Sequence, residues 1–350
     1  MVSHTPITLQ MPMTIKMARE PMPRKPFSLR AASSSSSVPA EKKKSLGETL
    51  KVGSYFLLWY IFNIGYNITN KKTLNMVPEL TYTVAFLQLF IGIFYVIPIW
   101  ALRIRKTPVL SNEEIKTLVP IAVLHTLTHI GAVVSLGAGA VSFTHIVKAA
   151  EPAVSAALSA IFLKSFLPIP VYLSLIPVMF GVSLASLTEL SFSWLAFGGA
   201  MVSNLASASR GIVGKITMGK PLGKNMDAVN LYAVMTILAS IIMTPVFLAV
   251  EGAKIAPVLK AVKAAGNLKT LGVQTLLSAI FYYLYNEVAF LALDNVAPVT
   301  HALGNTIKRV VIIIASVLVF GSTMTAQGVL GSAIAIGGVL LYSLAKNHFK

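Results

Sequence analysis

The chain contains no cysteine. Disulfides, thiolate metal sites and thiol nucleophiles are excluded at once. It is also poor in charge. Only 12% of its 350 residues are Asp, Glu, Lys or Arg, where a soluble globular chain has about 25%. Acids are scarcest: 12 against 29 Lys and Arg, with none between Val296 and Lys350. Alternating segments of about ten residues, the mark of a transmembrane barrel, are missing too.

What fills the chain is apolar. Hydrophobic residues make up 55% and the mean hydropathy is +0.75. Apolar stretches of roughly 17–25 residues recur, each long enough to cross a bilayer. This predicts an all-α membrane protein with ten spans, over residues 52–69, 82–104, 115–137, 141–163, 168–188, 192–217, 228–250, 270–293, 296–320 and 326–345. The net charge of +17 raises nucleic acid as a partner. However, Lys71, Lys72, Arg103, Arg105, Lys106, Lys254, Lys260 and Lys263 fall between apolar runs. They read as juxtamembrane residues, so the expected surroundings are a lipid bilayer and not nucleic acid. The stretch "AKIAPVLKAVKAAG" between the seventh and eighth spans reads as a short surface helix.

The first residues differ in kind. They hold "AASSSSSVPAEKKK", and residues 1–40 carry Lys16, Arg19, Arg24, Lys25 and Arg30 against the single acid Glu20. A Ser-rich, basic, acid-poor segment with no apolar run describes an organelle transit peptide. Residues 1–45 are assigned to it or to a plain disordered basic tail; as a transit peptide, cleavage is expected near Ala40 to Lys42. Ten spans put both termini on one side. The loops of that side carry fourteen Lys and Arg against six on the other. By the positive-inside rule both termini face the cytosol-like compartment.

Internal repetition comes next. Span four opens "AVSFTHIVKAAEP" and span nine opens "VAPVTHALGNTIKR". Each has a Thr-His pair (Thr144-His145, Thr300-His301) followed by cations (Lys148; Lys308 and Arg309). Span one has Asn63 and span six Asn204. Five spans per half is an odd number, so halves 46–190 and 191–350 must be inverted in the membrane. That is a carrier architecture with a site near the midplane. Gly131, Gly137 and Gly139 read as close-packing positions.

A cation near the centre of a span costs about 2.5–3.5 kcal/mol. Lys148, Arg210, Lys308 and Arg309 all lie inside spans. Glu151, three residues after Lys148, is spaced to pair with it on one helical face. Arg210 lies near enough to the end of its span to snorkel. Lys308 and Arg309 are adjacent and point about 100° apart on a helix, so both cannot easily snorkel. The other intramembrane acid is Glu287, either paired with a site cation or carrying a coupled proton. If the four cations converge, a surplus of about two charges calls for a diffusible dianion. A phosphate ester, at ≈ −1.5 to −2, fits. Arg offers its oxygens a planar fork and Lys a point charge. Tyr283, Tyr285, Asn286, Thr128, His125 and His129 are candidate neutral donors. His125 and His129 share a helical face but lack a third ligand at metal spacing, so no metal and no cofactor are expected. No HExxH motif or carboxylate pair suggests an enzyme.

"WYIFNIGYNITNKKTLN", "AVSFTHIVKAAEP", "FYYLYNE" and "VAPVTHALGNTIKRVV" closely resemble the plastid phosphate translocators of the drug/metabolite transporter superfamily. The resemblance runs in order over nearly everything after residue 50. It implies ten helices in two inverted five-helix halves. It also implies strict exchange of inorganic phosphate for a phosphorylated compound of three, five or six carbons across the inner plastid envelope. Triose phosphate and 3-phosphoglycerate come first, then phosphoenolpyruvate, then pentose or hexose phosphates. A nucleotide-sugar carrier of the same superfamily is the more distant alternative. Carried over by position, Lys148, Lys308 and Arg309 are the phosphate-binding cations and Tyr285 a hydrogen-bond donor. His129 is a site histidine, and Arg210 an arginine bounding the cavity. Two positions depart from the triose-phosphate pattern: Ala132, where a hydroxyl-bearing residue is usual, and Glu287, where glutamine is. If the organelle is a plastid, the cytosol-like compartment that loop charge assigns to both termini is the stroma.

Overall fold

The computed structural model describes residues 46–190, 192–217 and 222–349. The proposed transit segment with its cleavage zone lies outside these residues, as do Lys220, Pro221 and Lys350. The described residues form twelve α-helices. α1 (Leu46–Met76) is followed by a 3-10 turn at Pro78–Leu80 and by α2 (Thr81–Ala101) and α3 (Asn112–Ala138). Then come α4 (Val141–Lys148), α5 (Glu151–Leu163), α6 (Ile169–Leu173) and α7 (Leu175–Leu187). The rest are α8 (Trp194–Thr217), α9 (Ala228–Ala264), α10 (Leu268–Asn295), α11 (Pro298–Phe320) and α12 (Ala326–His348).

Among the described residues, eight segments have the length and apolarity to cross a membrane: α2 with its preceding turn, α3, α4–α5, α6–α7, α9, α10, α11 and α12. α1 and α8 are long enough but more polar. Their polar residues face inward: Asn63, Asn67 and Asn70 on α1, and Ser203 and Asn204 on α8, are all buried. In hydrocarbon such groups need partners inside the protein.

Proline explains two breaks that apolar content alone does not reveal. The fourth expected span divides into α4 and α5. Pro152 has no N–H, and its ring conflicts with the carbonyl four residues earlier, that of Lys148. The chain tightens there: Ala149 donates to Ile146 at 2.9 Å and Ala150 to Val147 at 3.1 Å. The fifth expected span divides at Ser174, four residues after Pro170 and three before Pro177. Two other expectations are corrected. Lys71 and Lys72 are not in a loop but in the last turns of α1. The separate surface helix expected after residue 250 is instead the end of α9, which runs unbroken for 37 residues through Pro245 and Pro257. Lys254, Lys260 and Lys263 lie exposed along it.

Helix ends are secured by their own sequence. Ser111 and Glu114 form a capping box at the start of α3. Asp227 accepts from Asn230 N to cap α9, and Thr325 from Gly328 N to cap α12. The main partners in packing are α1 with α10, α3 with α8, α7 with α12 and α2 with α9; α4 also meets α11. Small residues set the close crossing of α3 and α8. A Cβ on Gly131 would lie 2.7 Å from the Gly199 carbonyl, and one on Gly199 2.8 Å from the Gly131 carbonyl. α3 and α8 therefore touch backbone to backbone, as at small-residue crossings in membranes.

Three contacts join the ends of helices. Val109 and Lys224, in the loops after α2 and α8, exchange backbone hydrogen bonds of 3.0 and 2.9 Å. At the opposite end of the bundle, Glu251 of α9 accepts from the N–H groups of Tyr82 and Thr83 at 2.9 and 2.7 Å. It also accepts from the Thr83 hydroxyl at 2.8 Å, which satisfies donors that open α2. Lys71 Nζ donates to the carbonyls of Leu136, Gly137 and Gly139 at 2.8, 3.4 and 2.9 Å, closing the end of α3.

Candidate functional site

The break after Lys148 shapes the site. It ends α4 with an ammonium and starts α5 with the Glu151 carboxylate. The expected Lys148–Glu151 pair on one continuous helical face is not what forms. Lys148 Nζ donates to Ser203 Oγ at 2.6 Å, and Ser203 Oγ donates onward to the Thr128 carbonyl at 2.8 Å. Glu151 accepts from Ser207 Oγ at 2.6 Å and from Arg309 at 3.4 Å. Arg309, buried on α11, also donates to the His145 carbonyl at 3.3 Å. Lys148, Lys308, Arg309 and Glu151 lie close enough to act on one another electrostatically, and Arg210 acts on Lys148 and Glu151.

Arg210 does not snorkel. Its guanidinium donates at 2.6 Å to His125 Nδ1 across the α3–α8 crossing. That bond leaves the imidazole proton on Nε2, which is buried without a hydrogen-bond partner in the protein. Lys308 holds its ammonium 4.7 Å from the centre of the Trp59 indole. Of the four cations, then, Arg309 meets a carboxylate directly. Lys148 rests on a hydroxyl, Arg210 on an imidazole nitrogen and Lys308 on a ring face.

The remaining sequence-derived residues divide. His129 Nε2–H donates to the Ala85 carbonyl at 3.1 Å, and its ring lies 4.2 Å from that of Tyr282. Tyr285 packs against Tyr66 and Tyr282 at 5.3 and 5.7 Å. Tyr282 and Tyr285 both lie within electrostatic reach of Arg210. Thr128 and Asn286 turn to their own helices: Thr128 Oγ1 donates to the Leu124 carbonyl and Asn286 Nδ2 to that of Tyr282. Tyr283 packs in a separate aromatic group with Tyr95 and Tyr232.

Glu287 does not pair with a cation of the cluster. It forms an ion pair of 2.7 Å with Arg105, in the loop after α2. The carboxylate within the cluster is therefore Glu151, and four cations face one acid among the described residues. The formal surplus is three, not two.

Ser203, Ser207 and Trp59 were not selected from sequence. Ser203 and Ser207 lie four residues apart beside Asn204, whose Nδ2 donates to the Val147 carbonyl at 2.9 Å. That i, i+4 hydroxyl pair on a polar membrane helix was the available signal. Trp59 stands within the aromatic motif of α1.

A helical membrane bundle with incompletely neutralised cations, one buried and three half-buried, contributed by both halves of the sequence is the frame of an anion transporter. The chain matches the Triose-phosphate Transporter family over residues 50–343 and belongs to it. It is 41% identical over 331 residues to the chloroplastic xylulose 5-phosphate/phosphate translocator of Arabidopsis thaliana, covering 92% of this chain and 78% of that protein. It is 42% identical over 303 residues to glucose-6-phosphate/phosphate translocator 2 of the same plant, covering 85% and 76%. It is 40% identical over 327 residues to the triose phosphate/phosphate translocator of Spinacia oleracea, covering 91% and 77%.

Proposed function

We propose that the chain is an obligate antiporter of the inner plastid envelope, exchanging inorganic phosphate for phosphorylated three-carbon metabolites (triose phosphate and 3-phosphoglycerate). In this reading residues 46–190 and 191–350 are inverted halves of five spans each, and both termini face the stroma. Lys148, Lys308 and Arg309 bind the phosphoryl group. Arg210, His129 and Tyr285 border the organic part, and Glu151 tempers the charge.

The observation that carries the reading is the gathering of four cations around one carboxylate. Three of those cations rest on neutral groups that an anion outcompetes, because an anion adds direct charge–charge attraction where a hydroxyl, an imidazole nitrogen or a ring face offers only a partial charge. A phosphate ester brings ≈ −1.5 to −2 of charge. The added carboxylate of a phosphorylated three-carbon acid brings the total close to the surplus. The inverted repeat has separate support in the packing partners. Exchanging the halves maps α1 on α8, α2 on α9 and α3 on α10. It turns the α1–α10 contact into the α8–α3 contact and returns α2–α9 to itself. The two strongest polar helices, α1 and α8, are then equivalent. The stromal orientation rests on the bias of Lys and Arg among the loops.

Exchange follows from electrostatics. Closing a low-dielectric chamber around uncompensated cations is costly; closing it around a bound anion is not. Movement of one half against the other is therefore permitted when phosphate or its ester is bound, giving one-for-one turnover. The test is counter-exchange of labelled phosphate in proteoliposomes against a panel of phosphorylated compounds of three, five and six carbons. The expected result is fast uptake with internal triose phosphate or 3-phosphoglycerate and negligible uptake into vesicles holding no anion. Equal uptake into anion-free vesicles would remove the antiport mechanism. Preference for glucose 6-phosphate or xylulose 5-phosphate would reassign the substrate.

A further inference from the structure

α1 and α11 meet along a seam of which the exchange mechanism above uses Lys308 alone. Gly304 of α11 lies against the Phe56 ring, closer than a Cβ would allow. Tyr60 Oη donates to the Gly304 carbonyl at 2.9 Å. Between Phe56 and Tyr60, Trp59 is only 2% exposed. His301, one turn before Gly304, stacks on the indole with centroids 4.8 Å apart and planes inclined by 19°. Lys308, one turn after Gly304, brings its ammonium to 4.7 Å from the indole centre. These three residues of α11 are spaced i, i+3 and i+7, so they share one face of the helix.

The indole N–H makes no hydrogen bond within the protein, although a buried Trp usually finds one. The ring is thus held by its faces and not by its polar edge. A cation over a desolvated indole face is held more firmly than at a surface, and Trp is the best of the three aromatic partners. The hold is still weaker than charge-assisted bonds to phosphoryl oxygens. The indole and an incoming anion therefore compete for one ammonium.

We propose that Trp59 is a positioning residue for Lys308: it retains the ammonium between substrates, keeps it from collapsing onto Glu151, and yields it to the anion. The proposal rests on the exchange reading. Trp59 is on α1 and Lys308 on α11, so the arriving anion also undoes one of the contacts that tie these helices. Substrate binding and loosening of the seam become one event.

The experiment pairs two measurements on the full chain in proteoliposomes: exchange of labelled phosphate, and tryptophan emission titrated with inorganic phosphate. The wild type is expected to show an emission change that saturates at the concentration half-saturating exchange. W59F keeps a weaker ring face, exchanges phosphate and loses that emission change. W59L removes the competing face and lowers the KM for phosphate by about three- to tenfold, with W59F in between. A merely structural role would lower the amount of folded carrier or kcat and leave KM unchanged or raised. Unchanged wild-type emission during phosphate exchange overturns the proposal and leaves the exchange reading standing, as does an unchanged or higher KM in W59F. Should W59L fail to insert, W59F and the wild-type titration still decide. No exchange with any phosphorylated counter-substrate overturns both.

Discussion

Lys71 and Lys308 are both lysines of long helices turned into the bundle, and they end differently. Lys71 spends its ammonium on three carbonyl oxygens at the end of α3. Lys308 lies over an indole face. Two glutamates repeat the contrast. Glu251 receives three hydrogen bonds of 2.7–2.9 Å from the start of α2. Glu151 has one short bond from Ser207 and one long contact of 3.4 Å with Arg309. At the helix ends the charges are saturated and act as staples. In the α4–α8–α11 cluster they keep donor capacity in reserve. Burial of a charge is therefore not what marks a binding site; unused bonding capacity is.

The contrast breaks first at the cluster. K308A or R309A should reduce phosphate exchange by about 100-fold or more, the loss of about 3 kcal/mol of charge-assisted binding. The protein should still reach the membrane at wild-type levels on immunoblots. Near-normal uptake by both variants would move the site elsewhere. E251A should do the reverse. It leaves donors at the start of α2 unmet and costs about 2–3 kcal/mol of stability. Thermal unfolding in detergent would report this, with exchange per folded molecule nearly unchanged. A large exchange defect with normal melting would make Glu251 part of the site. A smaller effect is expected at Glu287. Glu287 is buried and Arg105 part-exposed, so E287Q, which keeps a hydrogen bond to the guanidinium but loses the charge, should cost about 1–2 kcal/mol and leave the pH profile of exchange unaltered. A shifted profile would restore the proton role. Least of all, K116A removes the exposed Lys116–Glu113 pair of α3 and should change neither melting nor exchange.

How far the sequence carries depends on whether a feature is local. The apolar runs locate the helices, because each run must satisfy its backbone within itself. The adjacent cations at Lys308 and Arg309 point inward for the same reason: hydrocarbon offers them nothing. The ends of α1 and α9 were lost because they are held by distant groups. "NKKTL" reads as a loop until the end of α3 supplies carbonyls for Lys71. The Arg105–Glu287 pair joins residues 182 apart in the chain, and no spacing announces it. Pro152 was visible, but its effect on Lys148 and Glu151 appears only when the missing N–H is followed back to the carbonyl it leaves behind. Trp59 lies within the aromatic motif of α1, but its contacts with His301 and Lys308 come from the facing side of α11.

The length of α9 has a practical consequence. Its 37 residues extend about 55 Å, whereas the hydrocarbon core is about 30 Å thick. Part of the helix must therefore extend past the hydrocarbon, and the last turns, with exposed Lys254, Lys260 and Lys263 and exposed Ala265 beyond them, are the polar end. Because the chain has no thiol of its own, A265C would give a single chemical handle on a rigid stalk. Reaction of that handle with a membrane-impermeant maleimide in sealed vesicles reads directly which compartment the stalk enters, and so which way the whole bundle is threaded.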